Sequence, residues 1–107
     1  MEPKVTVILD FTKCRYLQEV YDEMSKQMEW EEGYGENLDA LWDILWGMPH
    51  KGNDFIIRRP VRFTKIPYGQ NEEFTDYVNR ICEVFDMAQE HGYLTYRIEY
   101  VTDEDAD

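Results

Sequence analysis

The sequence predicts an α/β fold: a three-stranded parallel sheet with helices packed mainly on one face. Short runs of strand character lie at 4–9, 54–59 and 94–100, and segments with apolar residues at helical spacing separate them. Each connection is long enough to cross over the sheet, as parallel neighbours require. The polar alternation of the last run suggests that one face of the sheet stays partly open. A chain of 107 residues has room for one core. The expected organisation is a single domain over 1–101 and an acidic tail over 102–107.

Lys4 to Leu9, KVTVIL, is a compact β-branched run ending at Asp10. It reads as a central strand covered on both faces. From Tyr16 to Met28, Leu17, Val20, Met24 and Met28 recur at helical spacing, although no N-cap residue precedes them. Glu29 to Gly35 combines acids with two glycines and reads as a loop. Asn37 can cap the next helix, in which Leu38, Leu41, Trp42 and Leu45 form the inward stripe. Trp46, Asp39 and Asp43 then fall about 80°, 100° and 140° from Leu38, along the flank expected to look at water. Gly47 suits the end of this helix, and Pro49 bars its continuation.

Asp54 to Arg59, DFIIRR, reads as the second strand, and Pro60 closes it. Pro60, Pro67 and Gly69 make the stretch to Gln70 an irregular connection with a short helical turn. Asn71 is the expected cap of a long helix with Glu72 and Glu73 in its first turn. Phe74, Tyr77, Val78, Ile81, Phe85 and Ala88 form its stripe, and Gly92 ends it. Leu94, Tyr96, Ile98 and Tyr100 alternate with polar residues in the last strand. Met24, Met28 and Met87 are read as core filling.

With 43% hydrophobic and 15% aromatic residues the chain is too apolar to stay disordered. Its 23 acids against 11 bases give a formal charge of -12. Such a charge repels nucleic acid and anionic membranes and attracts a cationic partner. The N-terminus lacks a signal-peptide pattern and no apolar run is long enough to span a membrane, so the expected location is the cytoplasm. Cys14 and Cys82 lack metal or redox spacing and are read as free thiols.

No nucleophile with its base, metal-ligand spacing or phosphate cradle is visible, so no catalytic residue, metal or cofactor is assigned. His50 and His91 read as structural or solvated, and the cluster Arg58, Arg59, Arg62 and Lys65 as an internal partner for acids. From Gln27 to His50 there are six acids and no Lys or Arg. A charge run alone ordinarily means a solvated face. The tryptophans beside this one favour an interface, where charge steers the encounter and a rigid ring fills the centre. If the partner is a ribonuclease, its groove must be positive to hold phosphates, and carboxylates spaced along a rigid helix can occupy the sites where phosphates would lie.

Tyr34 to Asp43, YGENLDALWD, resembles the signature of the barstar family of intracellular ribonuclease inhibitors, and weaker similarity includes Val84, Phe85, Ala88 and Gly92. The resemblance implies a barstar-like sheet with its helices, and a loop and second helix that plug a ribonuclease active site. It implies that Asp43 enters the phosphate-binding subsite, that Asp39 meets basic and backbone donors at its rim, that Trp42 borders the interface and that Gly47 makes a close contact. The expected partner-binding set is Gly33, Tyr34, Glu36, Asn37, Asp39, Trp42, Asp43, Trp46 and Gly47, in a chain that is a monomer when free. Its expected partner is a basic ribonuclease or nuclease toxin.

Several residues depart from the family pattern. Gly33 stands where an aromatic precedes Tyr34, and Trp46 replaces a small hydroxyl residue. Met87 takes the place of an acid on the long helix, with Asp86 one position earlier, while Arg58 and Arg59 replace an acidic and an aromatic residue. These departures leave open which nuclease or toxin is cognate. The competing class is a non-inhibitory acidic interaction module.

Overall fold

The computed structural model describes residues 5–28, 38–46 and 53–101. In chain order the elements are β1 (Thr6–Asp10), α1 (Leu17–Met28), α2 (Leu38–Leu45), β2 (Asp54–Arg59), a 3-10 turn (Pro67–Gly69), α3 (Asn71–Glu90) and β3 (Thr95–Tyr100). The strands form one parallel sheet in the order β1-β2-β3. The predicted architecture is therefore the observed one.

The two-residue period of a strand decides which side chains enter the core. Val7 and Leu9 of β1 and Phe55, Ile57 and Arg59 of β2 are buried, whereas their alternates are exposed or half-buried. Phe85 of α3 lies over this face, with its ring 5.1 Å from Phe55. On the opposite face, Asp10, Arg58 and Glu99 are register partners, and Arg58 bonds Glu99 at 2.9 Å and Asp10 at 3.4 Å.

The first strand corrects an expectation. β1 is an edge strand, β2 is central, and Ile8 is 48% exposed. β-branched residues favour extended backbone whether one face or two are covered, so an apolar run cannot report its place in a sheet.

At α1 the missing N-cap has a substitute, and at α3 the expected cap is displaced. α1 begins without a capping residue because Glu19 reaches back: its Oε1 accepts from the N–H groups of Arg15 at 2.7 Å and Tyr16 at 3.0 Å. That is one half of a capping box, with the acid acting alone. Asn71 lies inside α3 rather than at its cap, which is Gln70. Its Oδ1 accepts from the Ile66 N–H at 2.9 Å and fastens the irregular connection to the helix.

The basic cluster divides. Arg58 does pair with acids, but Arg59 is 2% exposed and bonds the carbonyls of Pro60 and Val61 and the Asn79 side chain. Strand period turns it into the core, where no carboxylate meets it among the described residues. Its guanidinium lies 5.9 Å from the ring centres of Phe63 and Tyr100, a cation–π arrangement. Met24 and Met28 fill the core as expected, whereas Met87 does not and is 45% exposed. Cys14 and Cys82 are buried free thiols.

Candidate functional site

α2 is short and its faces are sharply divided. Ala40, Leu41, Ile44 and Leu45 are buried, and Leu38 and Trp42 are half-buried. At 100° per residue those four cover an arc centred about 150° from the midpoint of Asp39 and Asp43. Both aspartates are accordingly exposed. Neither forms an ion pair among the described residues, so α2 presents two carboxylates one turn apart to solvent.

Trp46 does not stand on that open flank, which corrects the expectation that its face looks at water. It is half-buried, with ring centres 4.9 Å from Trp42, 4.7 Å from Tyr93 and 5.0 Å from His91. Its Nε1 is buried and finds no acceptor among the described residues. The tryptophan acts as a wedge between the end of α2 and the turn after α3.

That turn follows from Gly92. With φ at +80° it takes the left-handed conformation that glycine adopts at low cost, donating to Gln89 O at 3.0 Å while Tyr93 donates to Ala88 O at 3.0 Å. The pair of bonds is a Schellman motif, which closes α3 and turns Tyr93 back onto Trp46. His91 and Tyr93 carried no site role in the sequence reading. Their proximity to Trp46 depends on how α3 packs against α2, and the available signal was only an aromatic next to a helix-ending glycine.

On α3, Met87 is exposed one turn before His91. Asp86 accepts from the Tyr96 hydroxyl at 3.2 Å and is directed at β3. Burial, followed by the Asp86 charge, pushes the Tyr96 phenol up to about 12. The expected residues Gly33, Tyr34, Glu36, Asn37 and Gly47 lie outside the described residues, as does the expected cap at Asn37. Asp39, Trp42, Asp43 and Trp46 are brought together on α2 and at its end, the aspartates facing outward and Trp46 set against Trp42 and the turn after α3.

Among the described residues no group of His, Cys, Asp and Glu could hold a metal ion. Nor is any helix among them long and apolar enough to cross a membrane. The surface offers charge and aromatic area, which are means of recognition.

A family model described as "Barstar (barnase inhibitor)" matches residues 5–101. The chain is also 26% identical over 84 residues to "Putative ribonuclease inhibitor YrdF" of Bacillus subtilis (strain 168), an alignment covering 78% of this chain and 85% of that protein. Since the family match runs from before β1 to beyond β3 and takes in both α2 and the turn that braces it, the chain belongs to the barstar family.

Proposed function

We propose that the chain is an inhibitor or immunity protein that blocks the cationic active site of a ribonuclease or nuclease toxin with α2 and the loop before it. The observation that carries this reading is the pair Asp39 and Asp43, exposed on a helix whose opposite side is buried. A groove that binds RNA must place donors and positive charge where phosphates lie. Asp43 would take one such position and Asp39 its rim, so that substrate and inhibitor exclude each other. Trp42 and the outer edge of Trp46 would seal the contact against water, which strengthens the charge pairs inside it. Gly33, Tyr34, Glu36, Asn37 and Gly47 would complete the surface. The relative's name points to the same class of partner.

In this reading residues 1–101 act as one inhibitory domain with 102–107 as an acidic tail, in a cytoplasmic protein that is monomeric when free. The chain supplies affinity and no chemistry.

The test is RNA cleavage by barnase and by the ribonucleases secreted by the organism that makes the chain, each titrated with purified protein. Stoichiometric inhibition of at least one enzyme, lost in Asp43→Ala, is expected. Binding without inhibition would favour the non-inhibitory interaction module. Inhibition that survives the double substitution Asp39→Ala, Asp43→Ala would rule out the helix plug.

A further inference from the structure

The sheet has a second edge, opposite β1. β3 pairs with β2 alone and is the most exposed of the three strands, with Tyr100 at its end 56% exposed. Along a strand, residues whose N–H and C=O face one neighbour alternate with residues whose groups face the other way. Thr95 donates to Asn53 O and Val101, just beyond the strand, to Arg59 O, both at 3.0 Å. The groups of Tyr96, Ile98 and Tyr100 therefore face outward, and the Tyr96 N–H confirms it by donating to the Gln89 side chain at 2.8 Å. Those of Ile98 and Tyr100 find no acceptor among the described residues. Such a row of open donors and acceptors is a template for another strand.

The side chains of β3 say which strand. Arg97 and Glu99 share the open face of the sheet, two residues apart and opposite in sign. Arg97 has no ion pair among the described residues, and Glu99 bonds Arg58 at 2.9 Å. Laid antiparallel on itself about a dyad at Ile98, the segment TYRIEY sets each Arg97 opposite the Glu99 of the other copy and each Tyr96 opposite a Tyr100. In that register the two Ile98 residues exchange both of their backbone bonds, and each Tyr100 N–H meets a Tyr96 carbonyl. One alignment thus satisfies the backbone and pairs the charges. A dyad at Arg97 or at Glu99 would instead set like charges face to face. β1 offers no equivalent, because Asp10 is its one charged residue and the outward Asp10 N–H is taken by Glu23 of α1 at 3.1 Å.

We propose that β3 pairs antiparallel with β3 of a second copy of this chain about a dyad at Ile98, joining two three-stranded sheets into one of six strands. Edge pairing covers less than the roughly 1,600 Å² of a standard interface, and each copy carries a charge of -12, so the dissociation constant is on the order of 100 µM. The free monomer proposed above and this dimer are two ends of one equilibrium, the monomer prevailing at the dilution of an inhibition assay.

The test is sedimentation equilibrium of the purified full chain from about 10 µM to about 1 mM, with amide hydrogen exchange at both ends of the range. The average mass should rise toward twice that of one chain, and the Ile98 and Tyr100 amides should exchange about 3-fold more slowly at the high concentration. Arg97→Glu should weaken pairing about 10-fold, and adding Glu99→Arg should restore it to within about 3-fold of the starting protein, because opposite charges again face each other. Arg62→Glu, an equal change of net charge at an exposed position off the strand, should have less than about a 3-fold effect. Tyr100→Pro keeps every bond to β2, since that N–H faces away from it, and should weaken pairing about 10-fold. A mass of one chain throughout, or a dimer in which Ile98 and Tyr100 exchange as fast as in the monomer, would overturn the proposal. So would pairing unchanged in Tyr100→Pro, a double variant no tighter than Arg97→Glu alone, or an equal loss in Arg62→Glu. No nuclease is present in these measurements, so their outcome is independent of the α2 surface.

Discussion

Replacing Asp43 by Asn should make the free protein slightly more stable and its complex much weaker. The carboxylates of Asp39 and Asp43 sit one turn apart on α2, both exposed and without an opposite charge among the described residues. At ~6 Å in water two such charges repel by about 0.7 kcal/mol, and screening at physiological salt halves this to roughly 0.3 kcal/mol. Asp43 also lies near the C-terminal end of α2, where the helix dipole disfavours an anion by about another 0.3 kcal/mol. Asn keeps the shape and has a similar helix propensity. The gain should be about 0.5 kcal/mol, read as a rise of roughly 0.3 M in the urea midpoint at an m-value in the usual range. In the complex the sign reverses. If Asp43 meets a desolvated cation, its loss strands that cation at a cost of about 3 kcal/mol or more, roughly 100-fold in affinity. Competition for RNA cleavage measures this directly. A lower urea midpoint in Asp43→Asn would refute the reasoning, because it would mean that the carboxylate already has a stabilising partner within its own chain.

Other outcomes follow from the same geometry. Asp39 lies in the first turn of α2, so the dipole supports its charge, and Asp39→Asn should be neutral or mildly destabilising by urea unfolding. Trp46→Ala should lose about 2 kcal/mol by removing the wedge between α2 and Tyr93, whereas Trp46→Phe, which keeps a ring and removes the orphaned N–H, should lose less than half of that. Arg59→Met should change stability by no more than about 1 kcal/mol, since its hydrogen bonds and the cost of burying its charge offset each other. Arg59→Ala should cost about 3 kcal/mol, because it adds a void to the same loss of hydrogen bonds; equal losses in the two variants, measured by urea unfolding, would contradict this account.

Burial raises both thiols, Cys14 to about 12. Their contribution to stability is therefore complete below the ordinary thiol value near 9 and declines as pH rises from there, by about 1.4 kcal/mol per pH unit for each thiol that stays protonated in the fold. Unfolding midpoints between pH 8 and 11 check the sign, and a thiol-specific dye at pH 8 should label the native protein slowly.

The order of elements, the bounds of β2 and the face of α3 were legible because each rests on a local pattern that tertiary structure did not contradict. DFIIRR has the length and composition of a strand, and the α3 stripe repeats too often to be accidental. The outward direction of Asp39 and Asp43 was legible for the same reason, since one apolar stripe on an eight-residue helix leaves only one place for them. The reading of Trp46 failed because angle around a helix describes that helix alone. Whether a residue 80° around the helix from Leu38 meets water depends on what neighbour occupies that flank, and here His91 and Tyr93 do.

By itself, then, the sequence determined which segments become helix or strand and which side of α2 carries charge, because hydrophobic period and backbone preference act within a few residues. Only the tertiary structure decided that β1 is an edge, that Arg59 is enclosed by carbonyls and rings, that Met87 faces outward and that Trp46 is braced by a turn far along the chain. Those outcomes depend on contacts between residues distant in sequence, and such contacts exist only after the sheet and helices have closed on one another.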